Sequence, residues 1–330
     1  MRMQQKTSTR ISLPEFLTEY SSDEACRNLL ERIRWPEGRI CPHCGGLRSW
    51  PIHCDTARAG LYECGECNEQ FTATVGTVFE HTKLDLPRWF LAIFLMLDSR
   101  KGISANQLSR VLGVTYKTAW FVAHRIRHMM TETDSLGKAL RGKVEVDETY
   151  VGGKPRRHTG MHKRGRGTRK VPVMLLVERD GMSRTRVIER VNAATLKGAI
   201  REQVAKSATI MTDEWGGYRG LDTEFRDHRV VNHGKGEYVK GDASTNTAES
   251  WFALLKRGVM GQFHHVSKQH LHRYCDEFSF RWNHRKSDRT VGVGEILNGS
   301  IGKRLTYRAT VAQKARKKAH SKGAARRSHA

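Results

Sequence analysis

Long hydrophobic runs are missing from this chain of 330 residues. The longest, WFLAIFLML from Trp89 to Leu97, has nine residues, whereas a membrane-spanning helix needs roughly 20 apolar residues. The run therefore predicts a core helix and argues against a membrane protein. The first residues, MRMQQKTSTRISLPEF, also lack the apolar stretch of a secretory signal. We expect a cytoplasmic protein with two or three domains.

Acidic residues are scarce. The chain has 34 Asp and Glu against 58 Lys and Arg, which gives a formal charge of +24. Two segments without any acid carry much of this excess: residues 154–170 hold eight Lys and Arg, and residues 302–330 hold ten. Neither segment has the apolar face of a membrane-surface helix, so nucleic acid is the expected partner. A solvated, disordered tail without a DNA contact is the alternative for the second segment.

Four of the seven cysteines form two C-x2-C pairs with 19 residues between them: Cys41, Cys44, Cys64 and Cys67. Two thiolates on one tight turn can face the same ion, and two such turns complete a tetrahedral Zn²⁺ site. Gly45 and Gly65 would supply the positive φ of the turns. We predict a structural zinc ribbon rather than disulfides, because nothing suggests export. Rival ligands lie nearby, although four thiolates need none of them: His43, His53 and Cys54.

Helical periodicity follows the cysteines. After a helix from Leu86 to about Leu97, two short helices are predicted on either side of Gly113, and Thr115 is positioned to cap the second. Two helices joined by a glycine turn, the second of them basic, favour a helix-turn-helix DNA reader. The residues expected to face outwards on the second helix are Tyr116, Lys117, Thr118, His124, Arg125 and Arg127. A helical hairpin that only packs is the alternative.

From about residue 140 the pattern changes to β-branched runs. KVEVDETYVGG, VPVMLLVERD and TRVIERV predict three strands. A helix over about 194–206, a strand ATIMTDEWGGY, a short strand around HRVVNH and a helix from near Thr245 follow. This order permits a ribonuclease-H-like fold. The predicted fold class is therefore multidomain α/β, with a zinc ribbon and a helix-turn-helix before a ribonuclease-H-like catalytic domain.

Three acids take informative positions in this order. Asp147 ends the first predicted strand, Asp213 ends the strand after the first helix, and Glu249 lies in the last helix. In the ribonuclease-H arrangement these positions converge at one edge of the sheet. Three neighbouring carboxylates stay ionised together only if cations neutralise them. Two Mg²⁺ (or Mn²⁺) ions about 3.5–4 Å apart would do so, and would also activate a water or a 3′-hydroxyl for attack on a phosphodiester.

Side-chain periodicity refines the choice of acids. Along the first strand Glu145 and Asp147 share a face, and Glu148 points the other way. We prefer Asp147 to Glu148 as a metal ligand, and Asp213 to Glu214. On the last helix one face carries residues at intervals of three and four: Asn246, Glu249, Ala253 and Lys256. Lys256 is predicted to contact a DNA phosphate near the scissile bond, with an intrahelical ion pair or a solvated side chain as the alternative.

Several motifs resemble the catalytic domain of insertion-sequence transposases of the IS1595 family (ISXO2-like): DETYVGGK, TDEWGGY, NTAESWFALLKRG and RYCDEFSFRWNHR. There are 35 residues between Asp213 and Glu249, as in D,D(35)E transposases, and six between Glu249 and Lys256. The family also has an N-terminal zinc ribbon, and the resemblance covers about residues 12–290. It implies Asp147, Asp213 and Glu249 as the triad, although some relatives use Asn in the third position, which makes Asn246 an alternative. His233 also matches a position typical of the family.

The resemblance implies a DNA transposase. Such an enzyme binds the terminal inverted repeats of a mobile element, cleaves there with Mg²⁺, and joins the freed 3′-hydroxyls to target DNA. We expect a nucleoid-associated homodimer or larger synaptic complex. A nuclease or junction resolvase that cuts without joining, and a domesticated DNA-binding regulator without catalysis, are the alternatives. The predicted domains are an N-terminal helical segment (1–36), the zinc ribbon (37–80), the helix-turn-helix region (84–133), the catalytic domain (140–299) and a basic, disordered tail (300–330).

Overall fold

The computed structural model describes residues 11–53, 58–132, 139–153, 168, 170–232, 239–240 and 242–311. The chain divides into two compact units. The first comprises the described residues up to Asp98, Ala105–Met129 and those from Asp288 onwards; the second comprises Ser99–Ser104 and Met130–Ser287. The second unit ends at Ser287, and the boundary of the catalytic domain at residue 299 stays a prediction.

The described elements, in chain order, are α1 (Leu13–Glu19), α2 (Asp23–Arg34), β1 (Ser49–Pro51), β2 (Tyr62–Cys64), β3 (Gln70–Phe71), α3 (Leu86–Asp98), α4 (Ala105–Leu112), α5 (Tyr116–Met129), β4 (Lys143–Val151), β5 (Val171–Glu178), β6 (Ser183–Val187), α6 (Ala193–Gln203), β7 (Thr209–Asp213), β8 (Asp227–Val231), β9 (Val239–Lys240), β10 (Ala243–Ser244), α7 (Asn246–Gly261), α8 (Leu271–Asn283) and α9 (Arg289–Asn298).

The first unit combines a small sheet with a helical core. Strands β1, β2 and β3 form an antiparallel sheet in that order. Helix α3 contains the longest apolar run and buries Trp89, Phe90 and Ile93. It packs against α2, α4, α5 and α9, which is why it is a core helix, as predicted. Within the described part of the chain, no helix is long and apolar enough to cross a membrane.

Helices α4 and α5 form the predicted pair around a glycine turn. Gly113 has a φ of +64°, the left-handed conformation that favours glycine at the end of a helix. At the start of α5 the Thr118 amide donates a hydrogen bond of 3.3 Å to Thr115 Oγ1, as expected for a capping residue. The local structure of two helices with a tight turn is thus present, whereas its use as a DNA reader stays a prediction.

The second unit is built on a five-stranded sheet with the order β6-β5-β4-β7-β8. Strand β5 is antiparallel to β4 and β6, whereas β7 is parallel to β4 and β8 is parallel to β7. The predicted order of three strands, a helix, two strands and a helix is confirmed, with a short β9–β10 hairpin inserted before α7. Helix α6 over 193–203 agrees with the helix expected over about 194–206.

Both faces of this sheet are covered. On one face Val144, Val146, Met174 and Leu176 pack with residues of α6. On the other face Val173, Leu175 and Val177 of β5 pack with apolar residues of α7 and α8, among them Trp251, Phe252, Leu255 and Phe278. Burial on both sides explains why β5 reads as a continuous apolar run. Because side chains alternate along a strand, Glu145 and Asp147 face α7, and Glu148 faces the α6 side.

Candidate active site

Strand register brings Asp147 and Asp213 level with each other. The parallel pairing of β4 with β7 ends where Glu145 meets Met211. Asp147 lies two residues beyond Glu145 on β4, and Asp213 lies two residues beyond Met211 on β7. Each acid therefore points to the same face of the sheet as the last paired residue of its strand. The expectation that Asp147 ends its strand is wrong, because β4 continues to Val151 alongside β5. The two strands instead separate at this level.

Helix α7 adds the third predicted acid. Glu249 lies in the first turn of α7, which packs against β4 and β5. The pKa of Asp147 is raised from 3.8 to about 7 in total: burial is the largest cause, a hydrogen bond from the Glu148 amide acts against it, and the negative charges of Glu148, Asp213 and Glu249 add to it. Asp213 and Glu249 therefore both lie within electrostatic reach of Asp147, and their use as a common catalytic site stays a prediction.

The donor set suits a hard divalent cation. The three carboxylates offer only oxygen ligands, the type that Mg²⁺ and Mn²⁺ prefer. A cation would remove the repulsion that raises the pKa of Asp147. The described residues contain one group of three or more potential ligand atoms from His, Cys, Asp or Glu that all lie within 4.8 Å of one another, and it consists of the four cysteine sulfurs. The carboxylate oxygens of the three acids are spaced more widely than a single ion would require.

Glu145 is a further acid on this strand, and its side chain is held by several hydrogen bonds. It is fully buried on the same face as Asp147 and accepts hydrogen bonds from three residues. Its Oε1 accepts from Arg179 Nε (3.2 Å), Arg179 Nη2 (3.1 Å) and Thr247 Oγ1 (2.9 Å). Its Oε2 accepts from the backbone amides of Thr247 (2.8 Å) and Ala248 (3.0 Å). The buried charge is compensated by an arginine and a helix N-terminus.

Sequence reasoning missed this role of Glu145. The available signal was an acid inside an apolar strand, which needs a compensating partner. The partner, Arg179, directly follows β5, and the register that pairs Glu145 with Val177 brings it close. Arg179 also donates to the Asp242 carbonyl (2.9 Å) and to Ser244 Oγ (2.8 Å). It therefore ties the β9–β10 hairpin to the same point.

The predicted face of α7 is exposed. Its members all lie on the solvent side of the helix: Asn246, Glu249, Ala253 and Lys256. Asn246 is the first residue of the helix, one turn before Glu249. Lys256 is two turns further along, and its Nζ lies 6.0 Å from the centre of the Phe252 ring. The face can therefore present Glu249 and Lys256 to the same ligand.

The four cysteines of the first unit come together as predicted. Their sulfur atoms all lie within 4.8 Å of one another. Cys41 Sγ is 3.7 Å from Cys67 Sγ, and Cys44 Sγ is 3.6 Å from Cys64 Sγ. Tetrahedral Zn²⁺ with bonds of about 2.3 Å would separate its sulfurs by about 3.8 Å. The cluster thus has the dimensions of a structural zinc site.

The two cysteine turns have the same backbone pattern. The Gly45 amide donates to the Cys41 carbonyl, and the Asn68 amide donates to the Cys64 carbonyl, both at 3.0 Å. Gly45 has a φ of +79° and Asn68 a φ of +60°. Gly65 does not have a positive φ, so its expected role is wrong and Asn68 takes the left-handed position. Backbone amides, first that of Cys67 and then that of Glu66, lower the pKa of Cys64 to about 7, which favours the thiolate.

Helix α5 exposes only part of its predicted DNA-reading set. Tyr116, Lys117 and Thr118 are exposed at its start. The expectation that His124, Arg125 and Arg127 face outwards is wrong, because all three are buried. Arg125 donates to the Glu80 carbonyl (3.1 Å), and its guanidinium lies 5.3 Å from the centres of the Trp89 and Phe121 rings.

Some predicted features lie outside the described residues. They are His233, Cys54, most of the basic segment 154–170, and residues 312–330 of the basic tail.

Comparison with known proteins gives consistent matches. Residues 139–283 match the ISXO2-like transposase domain, and residues 21–70 match the transposase zinc-ribbon domain. An uncharacterized protein in transposable element ISH50 of Halobacterium salinarum is 34% identical over 284 residues, 79% of this chain and 91% of that protein. An uncharacterized transposase-like protein of Haemophilus influenzae is 25% identical over 118 residues, 36% of this chain and 94% of that protein.

Among solved structures, the Mos1 transposase paired-end complex with left transposon end aligns with 13% identity over 64% of this chain and 74% of that chain. Its TM-score of 0.27 is too low to establish a common fold.

Proposed function

The chain belongs to the IS1595 family of transposases, and we propose that it binds the terminal inverted repeats of an insertion sequence and there cuts and joins DNA strands in a Mg²⁺-dependent reaction. The proposed triad is Asp147, Asp213 and Glu249. The domain is proposed to be ribonuclease-H-like, in keeping with the order and directions of its five strands.

One observation carries the proposal. The pKa of Asp147 is raised to about 7, first by burial and then by the charges of Glu148, Asp213 and Glu249, of which the last two come from another strand and from a helix. Between Asp147, Asp213 and Glu249 there are long intervals of sequence, so only folding brings their charges together. Clustering of like charges is unfavourable for stability alone, and it is typical of sites that bind cations or catalyse reactions.

Each residue has a proposed part in the reaction. Bound divalent ions would supply the activated nucleophile and would stabilise the charge that develops on the phosphodiester. Asp147, Asp213 and Glu249 would hold these ions with carboxylate oxygens. Lys256, on the same exposed face as Glu249, would hold a phosphate oxygen by a charge-assisted hydrogen bond and so orient the scissile bond. Water attacks the phosphodiester at the element end and breaks the 3′-oxygen–phosphorus bond, which leaves a 3′-hydroxyl on the element and a 5′-phosphate on the flanking strand. The 3′-hydroxyl then attacks a phosphodiester of the target and displaces the target's 3′-oxygen as a hydroxyl, without a covalent enzyme intermediate.

The first unit is proposed to select the DNA. Tyr116, Lys117 and Thr118 would read the element end from the exposed start of α5, and the zinc ribbon would add a second contact. The excess of positive charge favours binding to phosphates of both the element end and the target. The two ends of the element must be brought together, so we propose a homodimer or a larger synaptic complex.

The test is the variant Asp147→Asn. We expect it to bind a duplex that carries the element end with unchanged affinity, and to lose both Mg²⁺-dependent nicking and strand joining. The end sequence can be read from the inverted repeats in the DNA that flanks the gene. Full nicking by Asp147→Asn would refute the site. A second assay with pre-cut ends and a plasmid target separates a transposase from a nuclease, because only a transposase joins them.

A further inference from the structure

We propose that Glu145 is a positioning residue for the active site: its buried carboxylate holds the first turn of α7, and with it Glu249, at the level of Asp147. The proposal rests on the proposed function, because it takes Asp147 and Glu249 as ligands of the same metal centre. It assigns Glu145 no contact with metal or DNA.

The contacts place Glu145 as the cap of α7. The preceding residue, Thr245, makes no side-chain capping hydrogen bond. The amides of Thr247 and Ala248 instead donate to Glu145 Oε2, at 2.8 Å and 3.0 Å. A capping residue normally lies next to its helix in the sequence. Here the cap comes from a strand, so it fixes where the helix begins relative to the sheet.

The geometry links both ends of this contact to the site. Glu145 and Asp147 are two residues apart on β4, which is about 7 Å along the strand, and they share a face. Glu249 follows Ala248 directly, so it lies within the turn that Glu145 holds. One carboxylate therefore joins the strand that carries Asp147 to the turn that carries Glu249.

Arg179 holds this carboxylate in one orientation. Its Nε and Nη2 both donate to Glu145 Oε1, and its Nη1 donates to Asp242 Oδ1 at 3.2 Å. Lys143 also pairs with Asp242, at 2.5 Å. These partners fix the Arg179 side chain from the opposite side. Glu145 therefore has little freedom to rotate towards the solvent or towards the metal centre.

The alternative is that Glu145 only stabilises the fold. A matched control separates the two roles. Glu277 is also a fully buried glutamate of the second unit, and it also pairs with an arginine, Arg281, but it lies on α8. The variants Glu145→Gln and Glu277→Gln both remove a buried charge that is paired with arginine. Only the first alters the cap of α7.

The experiment uses the full-length protein and three readouts. Free Mn²⁺ is titrated by electron paramagnetic resonance to give the affinity for Mn²⁺ without DNA. Hydrogen exchange is followed in the peptide that covers the start of α7, and cleavage of an element-end duplex is followed over a range of Mn²⁺ concentrations. For Glu145→Gln we expect Mn²⁺ affinity to fall roughly tenfold or more, the usual effect of removing a partner that orients a metal ligand. Exchange at Thr247 and Ala248 should become faster, and cleavage should need more Mn²⁺.

Glu277→Gln should lower the thermal midpoint without changing Mn²⁺ affinity. Equal Mn²⁺ affinity in Glu145→Gln and the wild type, or an equal loss in both variants, would overturn the positioning role. If Glu145→Gln does not fold, Thr247→Val replaces it, because it removes only the hydroxyl donor to Oε1; a normal Mn²⁺ affinity and normal exchange in Thr247→Val would then overturn the proposal.

The readouts also separate this proposal from the proposed function. If Mn²⁺ affinity falls in Glu145→Gln but the wild type cleaves no DNA, the positioning role stands and the transposase reaction fails. If the wild type binds no Mn²⁺ at all, both proposals fail.

Discussion

Tyr218 donates a hydrogen bond of 2.7 Å to Glu148 Oε2 on the side of the sheet that faces α6. Tyr218 is buried in the core there, and burial, followed by the charge of Glu148, raises its pKa well above 10. The phenol therefore remains a donor. The two neighbouring acids of β4 thus serve opposite faces: Glu148 anchors the loop after β7, and Asp147 faces α7. This division supports the choice of Asp147 as the ligand.

The pKa of Asp147 predicts how stability depends on pH. Its pKa is about 7 in the folded chain, compared with 3.8 for an aspartic acid side chain in water. A carboxyl whose pKa is raised by folding binds its proton more tightly in the folded state. The free energy of unfolding therefore falls as pH rises from about 4 to about 7, and is constant with respect to this group outside that window.

The variant Asp147→Asn should lack this contribution. Without added divalent ions, we expect the urea midpoint of the variant minus that of the wild type to increase as pH rises through the window. Added Mg²⁺ should stabilise the wild type at the upper end of the window and leave Asp147→Asn unchanged. Parallel pH profiles for the two proteins would show that folding does not raise the pKa of Asp147.

The third acid can be identified by two substitutions in one helical turn. Glu249→Gln should reduce cleavage of the element end by roughly 10³-fold or more, as when an essential catalytic group is removed. Asn246→Ala should stay within about tenfold of the wild type, because Asn246 brings no negative charge to the field around Asp147. Both side chains are exposed at the start of α7, so neither change should alter the thermal midpoint. A reversed order of the two rates would make Asn246 the third residue of the triad.

Much of the second unit follows from the sequence because the signals for its strands and helices are local. Alternating and β-branched runs predict the strands, and the resemblance to the transposase family, with its intervals of 35 and six residues, points to Asp213, Glu249 and Lys256 as the proposed site residues. The role of Glu145 does not follow, because its partners come from a strand end and a helix start that only the strand register brings together. A pattern along one segment carries no information about such a contact.

Helix α5 shows a different limit. From the sequence pattern, the basic residues of such a helix are expected to lie on one solvent-exposed face. In the structure α5 packs against α3, α4 and α9, so most of its circumference is buried. His124, Arg125 and Arg127 are therefore inside, where two aromatic rings and the Glu80 carbonyl compensate the buried charge of Arg125. The composition of the helix alone could not distinguish these residues from the exposed Lys117.

Zinc content tests the cysteine cluster. We expect about one zinc per chain by elemental analysis, and its loss in Cys64→Ser. The sheet of β1, β2 and β3 is too small to be stable alone, so metal binding and folding of the ribbon should be lost together. Limited proteolysis within residues 37–80 should then become faster. Cys26→Ser is the matched control, because Cys26 is buried in α2 outside the cluster. Zinc retained by Cys64→Ser would contradict the four-thiolate site.

Substitution by alanine should affect DNA binding at one basic residue of α5 and stability at another. Lys117 is exposed, and Lys117→Ala should weaken binding to the element end and reduce the slope of log K against log salt by about 1, the effect of one lost phosphate contact. Arg125 is only 6% exposed, and Arg125→Ala should lower the free energy of unfolding by about 1–3 kcal/mol through lost packing and a lost hydrogen bond. Fluorescence anisotropy at several salt concentrations and urea unfolding measure the two effects. Weakened DNA binding in Arg125→Ala at unchanged stability would mean that Arg125 reaches DNA, and the buried position of this side chain in α5 would have to be abandoned for the DNA-bound protein.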